Sequence, residues 1–184
     1  MRKYRWLIIG TCGAVAIAVA AVLSGLLSPA NQINDTALTL AWPDSTHGLD
    51  PKPEYRDALT STGVIEYGDD CSKLGNSCDA FVATVMRYSG VDPNFPCCGA
   101  KLLHSYLLDN GAMYEQIPNL TSTFNLKPGD ILSNDGHIMI YIRRPNGTFG
   151  VASAAHCTKT ADYAGDVTFS DGDGPYDIFR VIND

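Results

Sequence analysis

Positive charge is scarce in this chain: 13 Lys and Arg stand against 20 Asp and Glu, a formal net charge of −7. Three of the 13, Arg2, Lys3 and Arg5, lie at the start, so everything after residue 30 carries 10 basic against 20 acidic side chains, a net −10. That excludes nucleic acid as the main partner, because phosphate-backbone affinity is carried by basic side chains. The same deficit removes charge attraction to anionic wall polymers or lipid headgroups, leaving groove contacts as the means of recognition. Paired C-x-x-C spacing is also missing among the six cysteines, which argues against a thioredoxin-type dithiol. A zinc site built from cysteines with His137 or His156 has little support for the same reason. Asp162 to Gly174 is rich in Asp and Gly but lacks the ligand spacing and closing Glu of an EF-hand. It reads as a solvated turn region. No cofactor and no metal is expected.

From Trp6 to Leu27 there is no charge at all, a run of 22 residues. This exceeds the ~7 to 15 residues of a signal-peptide core and reaches the ~20 needed to span a bilayer. A signal anchor over residues 1–30 is expected, and the small residues Ser28-Pro29-Ala30 leave a cleaved signal peptide open. Cys12 does not read as a lipobox cysteine, because the uncharged run continues for 15 residues beyond it and Thr11 precedes it. Basic residues ahead of the run put residues 31 onward outside the cytoplasm. Residues 31–54, with Pro43, Pro51 and Pro53, read as a linker. Residues 55–184 then form one domain, long enough to enclose a full core.

Within that domain the periodicity predicts helices near 54–62, 78–89 and 99–110, with Tyr67 in a loop between the first two. Strands follow near 130, 137, 148, 166 and 178. Helices first and antiparallel strands after argue an α+β fold.

The chemistry concentrates at Cys78 and His137. Phe81, Val82, Val85 and Met86 form a helical stripe, with Ser77 placed as an N-cap and Gly90 where a C′ glycine belongs. Cys78 therefore sits in a first helical turn, where unsatisfied N–H groups and the helix dipole favour thiolate over thiol. A general base is needed 59 positions on, at His137, which opens the strand Ile138-Met139-Ile140-Tyr141-Ile142. Alternation puts the three isoleucines on one face and His137, Met139 and Tyr141 on the other. Asn146-Gly147 predicts a two-residue hairpin turn in which opposed residue numbers sum to 293, setting His156 opposite His137 to orient the imidazole. A single bulge would replace His156 with Ala155 or Cys157.

Cys78 with Phe81 three residues on, the Pro128-Gly129-Asp130 turn and Gly136-His137 opening an aliphatic strand together resemble the NlpC/P60 and CHAP group of papain-like cysteine peptidases and amidases. The resemblance spans roughly residues 55 to 155. It implies a papain-like fold in which the nucleophile helix packs on an antiparallel sheet carrying the base, and an enzyme that cuts peptide or amide bonds in peptidoglycan stem peptides. Tyr67-Gly68 is similar to the upstream Tyr-x-x-Gly region of that group, so the resemblance implies an oxyanion-site role for Tyr67. The chain departs from the group in having Ser77-Cys78-Asp79-Ala80 at the nucleophile in place of Asp-Cys-Ser-Gly, and a gapless alignment puts the third catalytic residue near Val151. Asp70-Cys71-Ser72 matches that motif by letters, but Gly75-Asn76 follows and no apolar helical stripe begins there.

Five cysteines lie beyond the uncharged run: Cys71, Cys78, Cys97, Cys98 and Cys157. An odd number in an oxidising compartment leaves one thiol over. With Cys78 as that thiol, Cys97 and Cys98 are expected to pair separately with Cys71 and Cys157. The competing reading is a disulfide-stapled envelope module that binds without catalysis, in which Cys78 is bridged or inert.

Overall fold

The computed structural model describes residues 28–64, 76–118, 122–156 and 158–182. The uncharged run Trp6–Leu27 lies outside them, and among the described residues no helix is long and apolar enough to cross a membrane.

Among the described residues there are four α-helices: α1 (Pro29–Leu40), α2 (Pro53–Thr62), α3 (Cys78–Tyr88) and α4 (Ala100–Asp109). Six strands form one antiparallel sheet in the order β1-β8-β2-β3-β4-β5, where β1 is Tyr114–Ile117, β2 Ile131–Ser133, β3 Ile138–Arg143, β4 Phe149–Ala155, β5 Lys159–Gly165 and β8 Asp177–Val181. A separate two-stranded ribbon pairs β6 (Ser170–Asp171) with β7 (Gly174–Pro175). The α+β expectation holds at this level.

Helix α3 is the centre of the helical layer. Ser77 caps it, its hydroxyl accepting from Ala80 N–H at 3.4 Å, and Gly90 at φ +75° ends it in the left-handed conformation. The stripe expected at Phe81, Val82, Val85 and Met86 is fully buried, but Ala80 and Ala83 are buried as well. The helix is therefore enclosed all round, between α1, α2, α4 and the strands β3 and β4. Ile138, Ile140 and Ile142 of β3 join this core with Ala152 and Ala154 of β4, while Met139 and Tyr141 lie in a smaller cluster on the opposite face with Leu132, Val151, Tyr176 and Ile178. The alternation along β3 follows the sequence expectation.

The linker expected at 31–54 is a correction. Its first half is α1, which Pro29 starts at N1 and Ser28 caps by accepting from Asn31 N–H at 3.4 Å. Ile33, Ala37 and Leu40 repeat at helical spacing and have at most 1 % exposure. Asn34 accepts from Arg143 N–H at 2.8 Å at the end of β3. Trp42 extends the sheet past β5, donating to Ala161 O and accepting from Tyr163 N–H, both at 2.9 Å, and its ring stacks on His47 at 3.8 Å. Three prolines spaced eight and two apart suggested a spacer; they mark helix starts and turns instead.

The Pro128-Gly129-Asp130 turn has a structural explanation. Gly129 adopts φ +94°, and a Cβ there would lie 2.6 Å from Ala30 O and 2.8 Å from its Cα, so the turn is the seat on which α1 rests. Asp130, 2 % exposed, accepts from Lys127 N–H at 2.8 Å and from both Nε and Nη2 of Arg180 at 2.8 and 2.7 Å. This paired fork ties the turn to β8.

Strands β3 and β4 pair in a register one residue away from expectation: Ile140 faces Ala152, Tyr141 faces Val151 and Arg143 faces Phe149, sums of 292. Gly147 N–H bonds Arg144 O at 2.9 Å and Arg144 N–H bonds Thr148 O at 2.8 Å, with Gly147 at φ +85°. Pro145 and Asn146 thus form a three-residue connection with Gly147 as the left-handed bulge residue, since Pro145, fixed near φ −65°, suits the first central position of a type I turn. The count carried back to His137 reaches Ala155. His156 is exposed and loses the expected partnership.

Full burial of side chains such as Ile33 and Leu40 is worth about 1.5–3 kcal/mol each, and the net stability of a domain is only about 5–15 kcal/mol. A chain starting at Tyr55 is therefore expected to lose cooperative urea unfolding, followed by circular dichroism, whereas a chain starting at Ser28 keeps it.

Candidate active site

Cys78 opens α3 at the floor of a cleft of about 290 Å³ whose walls include Asp79, Cys98, Lys101, Asp135 and His156. It is a free thiol with 7 % exposure. Cys98 is also free, and exposed; its expected partners, Cys71 and Cys157, lie outside the described residues, as does Tyr67. Asp79 anchors the segment before α4 by accepting from Gly99 N–H at 2.8 Å, with Cys97 Sγ 3.7 Å away. Lys101 and Asp135 face each other across the cleft, Nζ to Oδ2 3.7 Å, both well exposed. Such a surface pair contributes little to stability.

The electrostatics of Cys78 differ from the sequence expectation. Burial is the largest influence and pushes the thiol up to about 11, with the Asp79 charge adding to the rise. The backbone N–H groups of Ile138, Asp79 and Cys78 itself work in the opposite direction. The helix N-terminus does favour thiolate, but it is outweighed: taking a charge out of water costs more than three N–H dipoles return. At neutral pH the resting residue is a thiol. Two of the three N–H groups belong to the first turn of α3, the end of a helix that favours negative charge.

His137 is half-buried and lies immediately before the residue whose N–H is directed at the Cys78 sulfur. Its ring packs edge-on against Tyr176, centroids 6.4 Å apart at 67°. Among the described residues no hydrogen bond joins the Cys78 thiol to the imidazole. Cys78 packs in the core on one face of β3, whereas the His137 ring lies against Tyr176, which belongs to the cluster on the other face. Burial is the largest influence on His137 and lowers its pKa; Asp171 raises it, Lys159 lowers it and Asp173 raises it. The net is downward, so the imidazole is neutral at pH 7 and able to accept a proton.

Three residues around His137 were not singled out in the sequence. Asn134 Oδ1 accepts from Gly136 N–H at 3.0 Å and His137 N–H at 2.8 Å, while its Nδ2 donates to Asp171 Oδ1 at 2.9 Å and Gly174 O at 3.1 Å. Tyr176, 2 % exposed, donates its hydroxyl to Asp171 Oδ2. Desolvation works against ionisation of Asp171, yet the bonds from Tyr176, Asp173 N–H and Asn134, together with the His137 charge, hold its carboxyl below the usual range. The Asp-Gly-rich stretch expected as a solvated turn region thus carries a carboxylate whose charge acts on the imidazole. Gly136 is required here, because a Cβ at that position would overlap the Asp173 carboxylate and lie 2.7 Å from its Cβ.

The raised thiol pKa fixes a stability change with pH. The unfolded chain releases the Cys78 proton near 9.0 and the folded chain only near 11, so stability falls as pH rises through this window. Urea unfolding at pH 8 and pH 10.5 is expected to show wild type losing about 2 kcal/mol more than Cys78→Ala over the interval. Equal losses in the two proteins would show that the thiol is not held neutral. Comparison with known proteins gives no relative to set beside this site: no family model, curated protein or solved structure matches the chain.

Proposed function

We propose that the chain is a cell-envelope cysteine hydrolase of the papain-like type, cleaving peptide or amide bonds in peptidoglycan. The observation that carries the reading is the free Cys78 thiol at the start of α3, acted on by three backbone N–H groups, one of them that of Ile138, which follows the neutral, half-buried His137 in the chain. The N-terminal uncharged run and the acidic outer region support an extracytoplasmic location, anchored or secreted, with the membrane engaged only through residues 1–30.

In this reading the imidazole of His137 takes the thiol proton as the sulfur attacks a substrate carbonyl. A thiolate formed in advance is not required. General-base transfer from a thiol at about 11 to a neutral imidazole is unfavourable at rest, so proton transfer and attack have to occur together once the substrate brings the groups within hydrogen-bond reach. The protonated imidazole then returns the proton to the leaving amine, and water releases the acyl group from sulfur. The N–H groups of Cys78 and Asp79 serve the oxyanion, with Tyr67 proposed as a further donor. His156, on the cleft wall, is placed to contact substrate and not to orient His137.

Cys78→Ala is expected to abolish release of new amines or carboxyls from purified peptidoglycan with its urea midpoint near pH 7 retained; hydrolysis surviving in that variant refutes the nucleophile. Because burial lowers the His137 pKa, the acid limb of kcat/KM is expected below pH 6.5. A limb above 6.5 would mean that a different group is the base. One observation favours a second reading, a binding module without catalysis: the thiol is buried and held protonated. That reading predicts sedimentation with peptidoglycan that Cys78→Ala leaves unchanged, with no bond cleaved by either protein.

A further inference from the structure

We infer that the groove beside the 3₁₀ turn Thr123–Asn125 is a second binding site, separate from the Cys78 cleft, and that it takes a strand of N-acetylated amino sugars. The inference rests on the hydrolase reading only for the identity of the polymer. The groove has a volume of about 470 Å³ and shares no lining residue with the cleft. Ile117 and Leu126, both members of the second cluster, give it an apolar base. Phe124 lines it with 91 % exposure, the most exposed large hydrophobic side chain among the described residues. A ring left in water to that extent adds almost nothing to the core and offers its face to a ligand.

The polar groups of the groove are held in place and left open. Arg180 donates Nε and Nη2 to Asp130 at 2.8 and 2.7 Å, and Nη2 also to Asn125 O at 2.8 Å, so one guanidinium fixes itself and the turn together. The turn is closed by Leu126 N–H on Thr123 O at 3.1 Å, and Lys127 N–H bonds Asp130 Oδ2 at 2.8 Å. Among the described residues Arg180 Nη1, the Lys127 ammonium and the Asn125 side-chain amide make no hydrogen bond or ion pair. Two of only ten basic side chains beyond residue 30 thus meet in this groove, with Glu115 opposite Arg180 on β1 as the acidic neighbour. The open groups are mostly N–H donors on a rigid frame beside an aromatic face. A ligand that answers them is rich in acceptor oxygens and has a flat apolar side. A pyranose ring meets both needs, with C–H bonds across one face and hydroxyl and acetamido oxygens around its edge. The concave shape suits a strand and not the flat surface of a bilayer.

Titration calorimetry of the full chain in detergent micelles with the tetramer of N-acetylglucosamine tests the site without any cleavage. Phe124→Ala is expected to weaken binding about tenfold, Lys127→Met by less and Cys78→Ala not at all, each with the wild-type urea midpoint. On intact peptidoglycan Phe124→Ala is expected to raise KM at unchanged kcat, while cleavage of free stem peptides stays as in wild type. No binding of the tetramer by wild type, or equal affinity in Phe124→Ala, overturns the inference even if the enzyme cuts peptidoglycan. Displacement of the tetramer by stem peptide, or broadening of the Phe124 ring signals by doxyl-labelled lipid in nanodiscs, would assign the groove to a peptide or to the bilayer and overturns it as well. Tetramer binding that depends on Phe124, with no hydrolysis by wild type, would instead overturn the hydrolase reading and leave the groove standing.

Discussion

Ala80, Phe81, Val82, Ala83, Val85 and Met86 have no exposed surface, which means that α3 is held on every side and its N-terminus has only one place to be, against the end of β3. Enclosure of this kind gives positional precision, because an interior packed at crystal-like density does not let a helix slide or rotate without opening voids. Phe81, edge-on to Tyr55 at 5.5 Å, and the alanines that let β3 and β4 approach closely fix the helix in both directions. The position of the Cys78 sulfur is a consequence of that packing and not of any contact the thiol makes itself. The same enclosure decides its protonation. A residue at the first turn of an exposed helix would be drawn toward thiolate; at 7 % exposure the cost of desolvating a charge prevails.

Two opposed demands therefore meet at one atom. The helix end, with the N–H of Ile138, offers a developing anion three donors, while burial makes a standing anion unfavourable. On the proposed hydrolase reading, such a site favours charge that forms together with a bond to carbon, on a tetrahedral oxygen, over charge resting on sulfur. The lowered imidazole pKa adds to this, since His137 and Cys78 are then both neutral at pH 7. Lys159 and Asp171 act on His137 in opposite senses, and the ion pair of Lys159 with the buried Asp162, 3.0 Å apart, draws the lysine charge toward β5.

Much of this was readable from periodicity. The Ser77 cap, the stripe of α3, the closing Gly90 and the two faces of β3 are local or short-range patterns, in which each residue's neighbours determine its conformation. What failed were inferences that crossed a turn or weighed an environment. Asn146-Gly147 alone predicts a two-residue turn, whereas Pro145 favours a three-residue connection, and that difference sets Ala155 and not His156 opposite His137 in the count. The prolines at 43, 51 and 53 suggested a spacer, although Ile33, Ala37 and Leu40 carried a helical stripe through the same stretch. Helix-end chemistry at Cys78 was recognised, but its sign depended on burial by elements distant in the chain, which no local pattern encodes. The papain-like resemblance rests on the order of its short motifs, and one of them, Pro128-Gly129-Asp130, is accounted for by the seating of α1 and the Arg180 pair without reference to catalysis.

The Asp-Gly stretch shows why function was harder to see than fold. Asp171, Asp173, Gly172 and Gly174 are what a solvent-facing reversal needs, and nothing in their composition distinguishes a turn that faces water from one folded back over a strand end. The distinction is made by Tyr176 and by Gly136. Tyr176 pulls the ribbon down by burying its ring beside Met139 and Tyr141 while its hydroxyl holds Asp171, and Gly136 leaves the space into which the Asp173 carboxylate descends. Gly136-His137 had looked like a motif about the histidine. In the structure the glycine is what allows the acidic ribbon to reach it, so the two residues belong to one arrangement because the absence of a side chain at one determines the electrostatic surroundings of the other.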